Sequence, residues 1–186
     1  MDVRAIACPD LETSRLFLKK ISVADADELF EVFSDEETTR YVPRKKHEDR
    51  LATIQHLENM AKGIDEGRSF VWSVIEKNEN CVIGTVNLYF KPDKVAGIGA
   101  VIHSRYWGKG IATEALNEVV RFGFTEAGLI RIEGKCESNN TASEKVMKKL
   151  GMTYEGTLRK EVIIKGTSRD AKVYSLLVDE YMQRSY

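Results

Sequence analysis

Proline is scarce in this chain: Pro9, Pro43 and Pro92 each stand alone among 186 residues, so no proline-rich linker divides it. Cysteine is equally scarce. Cys8, Cys81 and Cys136 are odd in number, far apart and outside any CxxC spacing, which argues against a disulfide framework or a thiolate zinc site and suits the reducing cytoplasm. His47, His56 and His103 are too dispersed to suggest a metal cluster, so no metal is expected. An excess of one charge is missing as well. Twenty-eight basic residues nearly cancel 29 acidic ones, leaving no field to gather nucleic acid or an anionic membrane surface. No apolar run approaches membrane-spanning length, and residues 1–15 carry Asp2, Arg4, Asp10 and Glu12 where a signal peptide needs an apolar stretch; neither insertion nor secretion is expected. Repeats are not visible. The signatures GxxxxGK[ST] and GxSxG do not occur, and Gly97-Ile98-Gly99 is followed by Ile102 where a dinucleotide fingerprint needs its third glycine. These absences exclude a P-loop kinase, an α/β-hydrolase nucleophile and a Rossmann site.

What is present is an ordinary globular composition, 42% apolar and 31% charged, enough to bury one continuous core; one domain over residues 1–186 is expected. Alternation predicts a strand over 12–21, and Ser22 caps a helix with Val23, Ala26, Leu29, Phe30 and Phe33 at helical spacing. A second helix is predicted over about 47–66. Strands follow at about 70–77, 81–90 and 95–103, the first two joined by Asn78-Glu79-Asn80, which makes an antiparallel meander. After Gly108 the apolar positions Ile111, Ala115, Leu116, Val119 and Phe122 mark an amphipathic helix ending near Gly128. A strand at 131–138, a helix at 141–151 and strands at 153–164 and 170–178 complete the order β-α-α-β-β-β-α-β-α-β-β. That order implies a mixed α/β (α+β) sheet with helices against it.

The segment Trp107-Gly108-Lys109-Gly110-Ile111-Ala112-Thr113 carries the strongest chemical signal, because it puts small residues where a loop feeds a helix N-terminus. Without side chains at 108 and 110, backbone N–H groups can approach a pyrophosphate closely, and the helix dipole favours negative charge there. A flexible loop with a glycine start to the helix has the same pattern. Gly97 and Gly99, inside a strand, suggest a bulge or a close backbone approach, unless they reflect only loose packing.

The series LETSRLFLKKISVADADELFEVFSD, IGTVNLYF, SRYWGKGIATEAL, NNTASEKVMKKLGMTYEGTLR and DAKVYSLL, in this order over nearly the whole chain, resembles the GNAT superfamily of N-acetyltransferases, specifically its RimJ/RimL-type branch. The resemblance implies the GNAT fold, a mixed but mostly antiparallel central sheet flanked by helices, whose central strands splay to form an acetyl-CoA cleft. It implies a pyrophosphate on the amides of Gly108, Gly110, Ile111 and Ala112, with Lys109 and Thr113 close by, and Ile102 and His103 against the pantetheine arm. Family members carry Arg or Gln at the first loop position; here it is Trp107. Asn140 is matched to cofactor-arm binding and Ser143 to protonation of the departing thiolate. A T-x-x-E capping box at Thr141 and Glu144 would instead make both ordinary residues of a helix start. The resemblance leaves a homodimer open.

A general base is harder to find. Many family members carry a glutamate at the position of Gly97. His103, Glu133, Tyr154 and Glu161 are the remaining candidates, and sequence gives no geometry to choose among them; Ser143 and Glu161 are carried forward as the catalytic pair. An α-amine with a pKa near 8 is about 10% neutral at pH 7 and a lysine about 0.04%, a gap of about 3 kcal/mol. A site without a strong base thus favours α-amino acceptors. Branch resemblance points the same way, to the N-terminal α-amine of a protein, such as a ribosomal protein, attacking directly in a ternary complex with a backbone N–H near Val101 or Ile102 on the oxyanion. Two alternatives stand beside this. The acidic run Glu31, Asp35, Glu36 and Glu37 near the acceptor loop would suit a small-molecule amine such as a polyamine, amino acid or aminoglycoside. A non-catalytic CoA-binding module would bind without turnover.

Overall fold

The alternation of residues 12–21 folds as two short strands, β1 (Leu11–Glu12) and β2 (Leu16–Lys20), in a computed structural model that describes residues 6–184. Asp2 and Arg4, part of the amino-terminal reading above, lie outside those residues. Thr13 makes the break: its amide donates to the Leu16 carbonyl at 2.9 Å and its hydroxyl accepts from the Leu16 amide at 3.0 Å. Ser22 caps as expected, accepting from the Ala24 amide at 3.2 Å, and a 3-10 turn leads into α1 (Ala26–Ser34), which buries Ala26, Leu29, Val32 and Phe33. Asp49 caps α2 (Arg50–Asp65) through the Ala52 amide at 2.8 Å.

The meander is β3 (Ser69–Glu76), β4 (Cys81–Lys91) and β5 (Val95–Ile102). Then come α3 (Ile111–Thr125), β6 (Arg131–Glu137), α4 (Thr141–Lys149), β7 (Thr153–Ile164) and β8 (Thr167–Leu177). A final helix, α5 (Val178–Arg184), was not anticipated. Val178 and Tyr181 pack half-buried against the core, but seven residues are too short a stretch for helical periodicity to stand out in sequence. Instead Glu180 caps it by accepting from the Leu177 amide at 3.0 Å.

The eight strands form one sheet in the order β1-β2-β3-β4-β5-β6-β8-β7, antiparallel at every junction except β5–β6. Side chains alternate between its faces. Phe70 and Trp72 meet Phe122 of α3 with ring centroids 6.0 Å apart, while Ser73, one residue on, hydrogen-bonds Asp25 at the start of α1. Helix α3 therefore covers one face, and α1, with α2 beside it, part of the other. Helix α4 joins α3: a Cβ on Gly134 would lie 2.6 Å from Met147 Sδ of α4. Glycine at 134 thus lets helix and strand approach closely.

The single parallel junction decides the site. β5 and β6 pair only from Val95↔Arg131 to Ile98↔Gly134, and beyond that residues 99–102 and 135–137 part. The sheet is the expected mixed, mostly antiparallel one with splayed central strands. α3 starts at the end of one bank of the gap and α4 at the end of the other.

Candidate active site

At the end of β5, His103 Nδ1 accepts from the Arg105 amide at 3.3 Å and caps a 3-10 turn, Ser104–Tyr106. The Trp107 indole N–H donates to the Ile102 carbonyl at 2.7 Å, so this side chain is tied back to the strand. Lys109 Nζ is likewise drawn over the Tyr106 ring, 4.9 Å from its centroid. With these side chains occupied, the loop offers its main chain. Gly108 and Gly110 sit at φ 76° and 78°, left-handed values that cost a side-chain-bearing residue about 1–2 kcal/mol. Gly110 is the N-cap of α3 and brings no capping oxygen. Among the described residues, no protein acceptor meets the amides of Gly108, Lys109, Gly110, Ile111, Ala112 or Thr113. Unpaired amides converging at a helix N-terminus fit a pyrophosphate.

Sequence reasoning missed the residue that braces this turn. Arg15 donates from Nε to Glu114 Oε2 at 2.6 Å, from its amide to Oε1 at 3.0 Å and from Nη1 to the Lys109 carbonyl at 3.0 Å. Thr13 and Ser14 hydroxyls donate to the same carboxylate. Burial pushes the Glu114 carboxyl up, but the hydrogen bonds from Thr13 and Arg15 outweigh it and hold it below the usual range. The break between β1 and β2 thus clamps the first turn of α3. Ninety-nine positions separate Arg15 and Glu114, and no local pattern signals such a contact.

Across the gap, pairing parity fixes which amides are free. His103 N–H donates to the Ile83 carbonyl at 2.9 Å, so Val101 and Gly99 also bond toward β4, and the amides of Ala100 and Ile102 turn into the gap. Of the two oxyanion donors expected, Ile102 faces the cleft and Val101 does not. The Ile102 side chain is buried, so what it offers the cleft is backbone. On the far bank Val178 donates to the Ile130 carbonyl at 3.0 Å, which by the same parity turns the backbone of Lys135 and Glu137 toward the gap.

Asn140, not Thr141, caps α4, its Oδ1 accepting from the Ser143 amide at 3.1 Å. The T-x-x-E capping box that stood as the alternative does not form. Glu144 turns instead to Lys148, Lys172 and Tyr174 at 2.6, 2.7 and 2.8 Å, which hold its carboxyl down at about 2. Asn140 Nδ2 and the Ser143 hydroxyl have no protein partner among the described residues.

The candidate bases are mostly engaged. Glu161 accepts from Lys135 Nζ at 2.7 Å. Burial raises Glu133, but Lys91 and Arg131 prevail and hold its carboxyl below the usual range. Tyr154 hydrogen-bonds Thr157 at 2.7 Å and packs on Tyr174, ring centroids 5.3 Å apart. Because Lys135 alternates with Gly134, the Lys135–Glu161 pair lies on the sheet face opposite α4. Ser143 and Glu161 are therefore not brought together. The acidic run is also partly spent: Asp35 takes the Thr38 amide at 2.8 Å, and Glu36 pairs with Lys46 and Lys165. Cys8, Cys81 and Cys136 are free thiols. Among the described residues no helix is long and apolar enough to cross a membrane, and no group of three or more metal-ligating side chains gathers.

Residues 15–153 match the family described as "Acetyltransferase (GNAT) domain". The chain is 36% identical to the N-acetyltransferase p20 of Bacillus licheniformis over 92% of its own length and 97% of that protein. It is 34% identical to the N-acetyltransferase YoaA of Bacillus subtilis, covering 91% and 97%. Among solved structures, the ribosomal-protein-S5-alanine acetyltransferase of Vibrio fischeri superposes with a TM-score of 0.81 at 26% identity, covering 93% of this chain and 98% of that one.

Proposed function

Because the chain belongs to the GNAT family of N-acetyltransferases, we propose that residues 1–186 act as one cytoplasmic domain that transfers acetyl from acetyl-CoA to the N-terminal α-amine of a protein, in the manner of the RimJ/RimL-type branch. The observation that carries the reading is the row of unmet amides from Gly108 to Thr113 beside the open edge of β5. Those amides hold the pyrophosphate, and Arg15 keeps the turn in shape. Asn140 Nδ2 reaches the cofactor arm, which lies between the banks along Ile102 and His103. When bound, acetyl-CoA supplies the activated acyl carbon.

The chain's own part is positional and electrostatic. The inward amide of Ile102, with that of Ala100 two residues away, stabilises the oxyanion. As the amine nitrogen bonds to the acyl carbon, the carbon–sulfur bond breaks; the unpartnered Ser143 hydroxyl is available to pass a proton to the sulfur, and the amine's surplus proton, relayed by water, restores that hydroxyl. Glu161 is engaged by Lys135, and Glu133, held below the usual range by Lys91 and Arg131, is a poor base, so an amine already partly neutral at pH 7 is the natural acceptor. The likeness to an enzyme named for a ribosomal-protein alanine supports the same acceptor class.

Thiol release from acetyl-CoA tests this, with peptides beginning with Ala, Ser or Met set against an N-blocked lysine peptide, spermidine and free amino acids. The expected result is kcat/KM roughly tenfold or more in favour of the free N-termini. Preference for spermidine or an amino acid moves the function to small molecules. CoA binding with no turnover on any acceptor leaves a non-catalytic module. Gly110→Val removes CoA binding under every version, and retained affinity in that variant sinks the loop assignment.

A further inference from the structure

Two glycines on β5, Gly97 and Gly99, face the same side of the sheet as Glu133 and Lys135, opposite α3 and α4. Neither space is empty. Tyr89 of β4, paired with Gly97, lays its phenol end across it, so that a Cβ at 97 would coincide with Tyr89 Cζ and Oη. Asn87, paired with Gly99, does the same one step further along, with Oδ1 2.9 Å from where a Gly99 Cβ would stand. Gly99 is the first residue of β5 beyond the last rung shared with β6. Two polar side-chain ends thus lie over bare backbone at the point where the sheet opens.

Their hydrogen-bonding state is what makes the arrangement informative. Asn87 Oδ1 is buried and has no partner. The Tyr89 hydroxyl has none among the described residues either, and the side chain is 37% exposed. A buried acceptor left unmet is uncommon and calls for a donor from elsewhere. A primary amine is such a donor, with N–H groups to spare for two oxygens. This is the face that α3 and α4 leave free, and α1 with α2 covers only part of it.

We propose that Asn87 and Tyr89 form the seat of the acceptor nitrogen. Asn87 Oδ1 accepts one N–H of the incoming amine. Tyr89 Oη accepts a second, and the lone pair is left pointing at the acyl carbon in the gap. The absence of side chains at 97 and 99 is then what admits these two groups from the neighbouring strand. This deepens the acetyl-transfer reading and rests on it for the identity of the reacting atom.

The test uses Asn87→Leu, Asn87→Asp and Tyr89→Phe, each checked for folding by its melting temperature and for CoA affinity by calorimetry. Asn87→Leu is expected to raise KM for an Ala-initiated peptide at least tenfold with CoA affinity within twofold of wild type, whereas Asn87→Asp, which keeps the acceptor oxygen, holds KM near wild type. Tyr89→Phe is expected to lower kcat/KM about tenfold, again with CoA affinity kept. Leucine and phenylalanine variants that match wild type in KM and kcat overturn the seat while leaving acetyl transfer intact. If wild type releases thiol with no amine, the acetyl-transfer reading fails separately. The seat is then judged by calorimetric binding of propylammonium to the CoA complex: at least tenfold tighter in wild type than in Asn87→Leu supports it, and equal binding overturns it.

Discussion

Arg15 shows how much of this site depends on a side chain that need touch no substrate. Its guanidinium joins the carboxylate of Glu114 to the carbonyl of Lys109, so the first turn of α3 and the glycine loop before it are held as one piece. Side-chain exposures of 43% and 18% make the pair half-shielded, and its contribution to stability is correspondingly modest, about 0.5–1 kcal/mol. Its effect on ligand affinity should be larger, because loosened amides no longer converge. Arg15→Ala is expected to weaken CoA binding roughly tenfold, about 1.4 kcal/mol, with a much smaller loss of stability, read by calorimetric titration and urea unfolding. A variant that binds CoA as wild type does would reduce Arg15 to a surface ion pair. Trp107 makes the converse point. It opens the glycine loop, yet its indole N–H is spent on the Ile102 carbonyl.

At the scale of elements, the α1–α2 pair carries a pH dependence of its own. Between the helices His47 packs on Phe33 and His56, with ring centroids 5.0 and 5.4 Å away, and Arg44 contacts His56 Nε2. Burial, reinforced by the Arg44 charge, holds both imidazoles below their ordinary proton affinity, His56 down at about 3. Burial alone also brings Arg44 down to about 10. In the unfolded chain these histidines take a proton near pH 6.5, whereas in the folded chain both take it only at lower pH, His56 not until about 3. Stability is therefore full above pH 6.5 and falls as pH drops from there toward 3. Between pH 6.5 and 5 a fully shielded histidine would cost about 2 kcal/mol, and His56, being partly exposed, roughly half of that. His56→Gln should flatten the stability curve by about that amount between pH 7 and 5, measured by urea unfolding. Equal slopes in the two proteins would remove His56 as the cause. Neither histidine stood out from its neighbours in sequence, because the depressed affinity comes from what the two helices bury together.

At the scale of the molecule, the gap between β5 and β6 is a place where the sheet forgoes its own hydrogen bonds. A ligand that spans both banks replaces those bonds and ties the two halves of the sheet together. Acetyl-CoA at about one hundred times its Kd should add about 2.7 kcal/mol, a rise of roughly 5–10 °C in Tm for a chain of this length. A Tm that does not move with added acetyl-CoA would mean that the gap is not the binding place.

The sequence by itself determined the strand and helix order up to β8, apart from the split of its first strand into β1 and β2, because side-chain alternation and helical apolar spacing are local and survive any tertiary arrangement. It also determined the glycine loop, since positive φ at Gly108 and Gly110 demands a residue without Cβ. Only the tertiary structure decided which residues work around that loop. Arg15 on Glu114, Asn87 over Gly99 and Tyr89 over Gly97 are contacts between elements, and their residue types say nothing of them in isolation. The same holds for the amides facing the gap. Whether Ala100 and Ile102 or Val101 turn inward is set by the register of β5 on β4, a long-range pairing that local spacing does not encode.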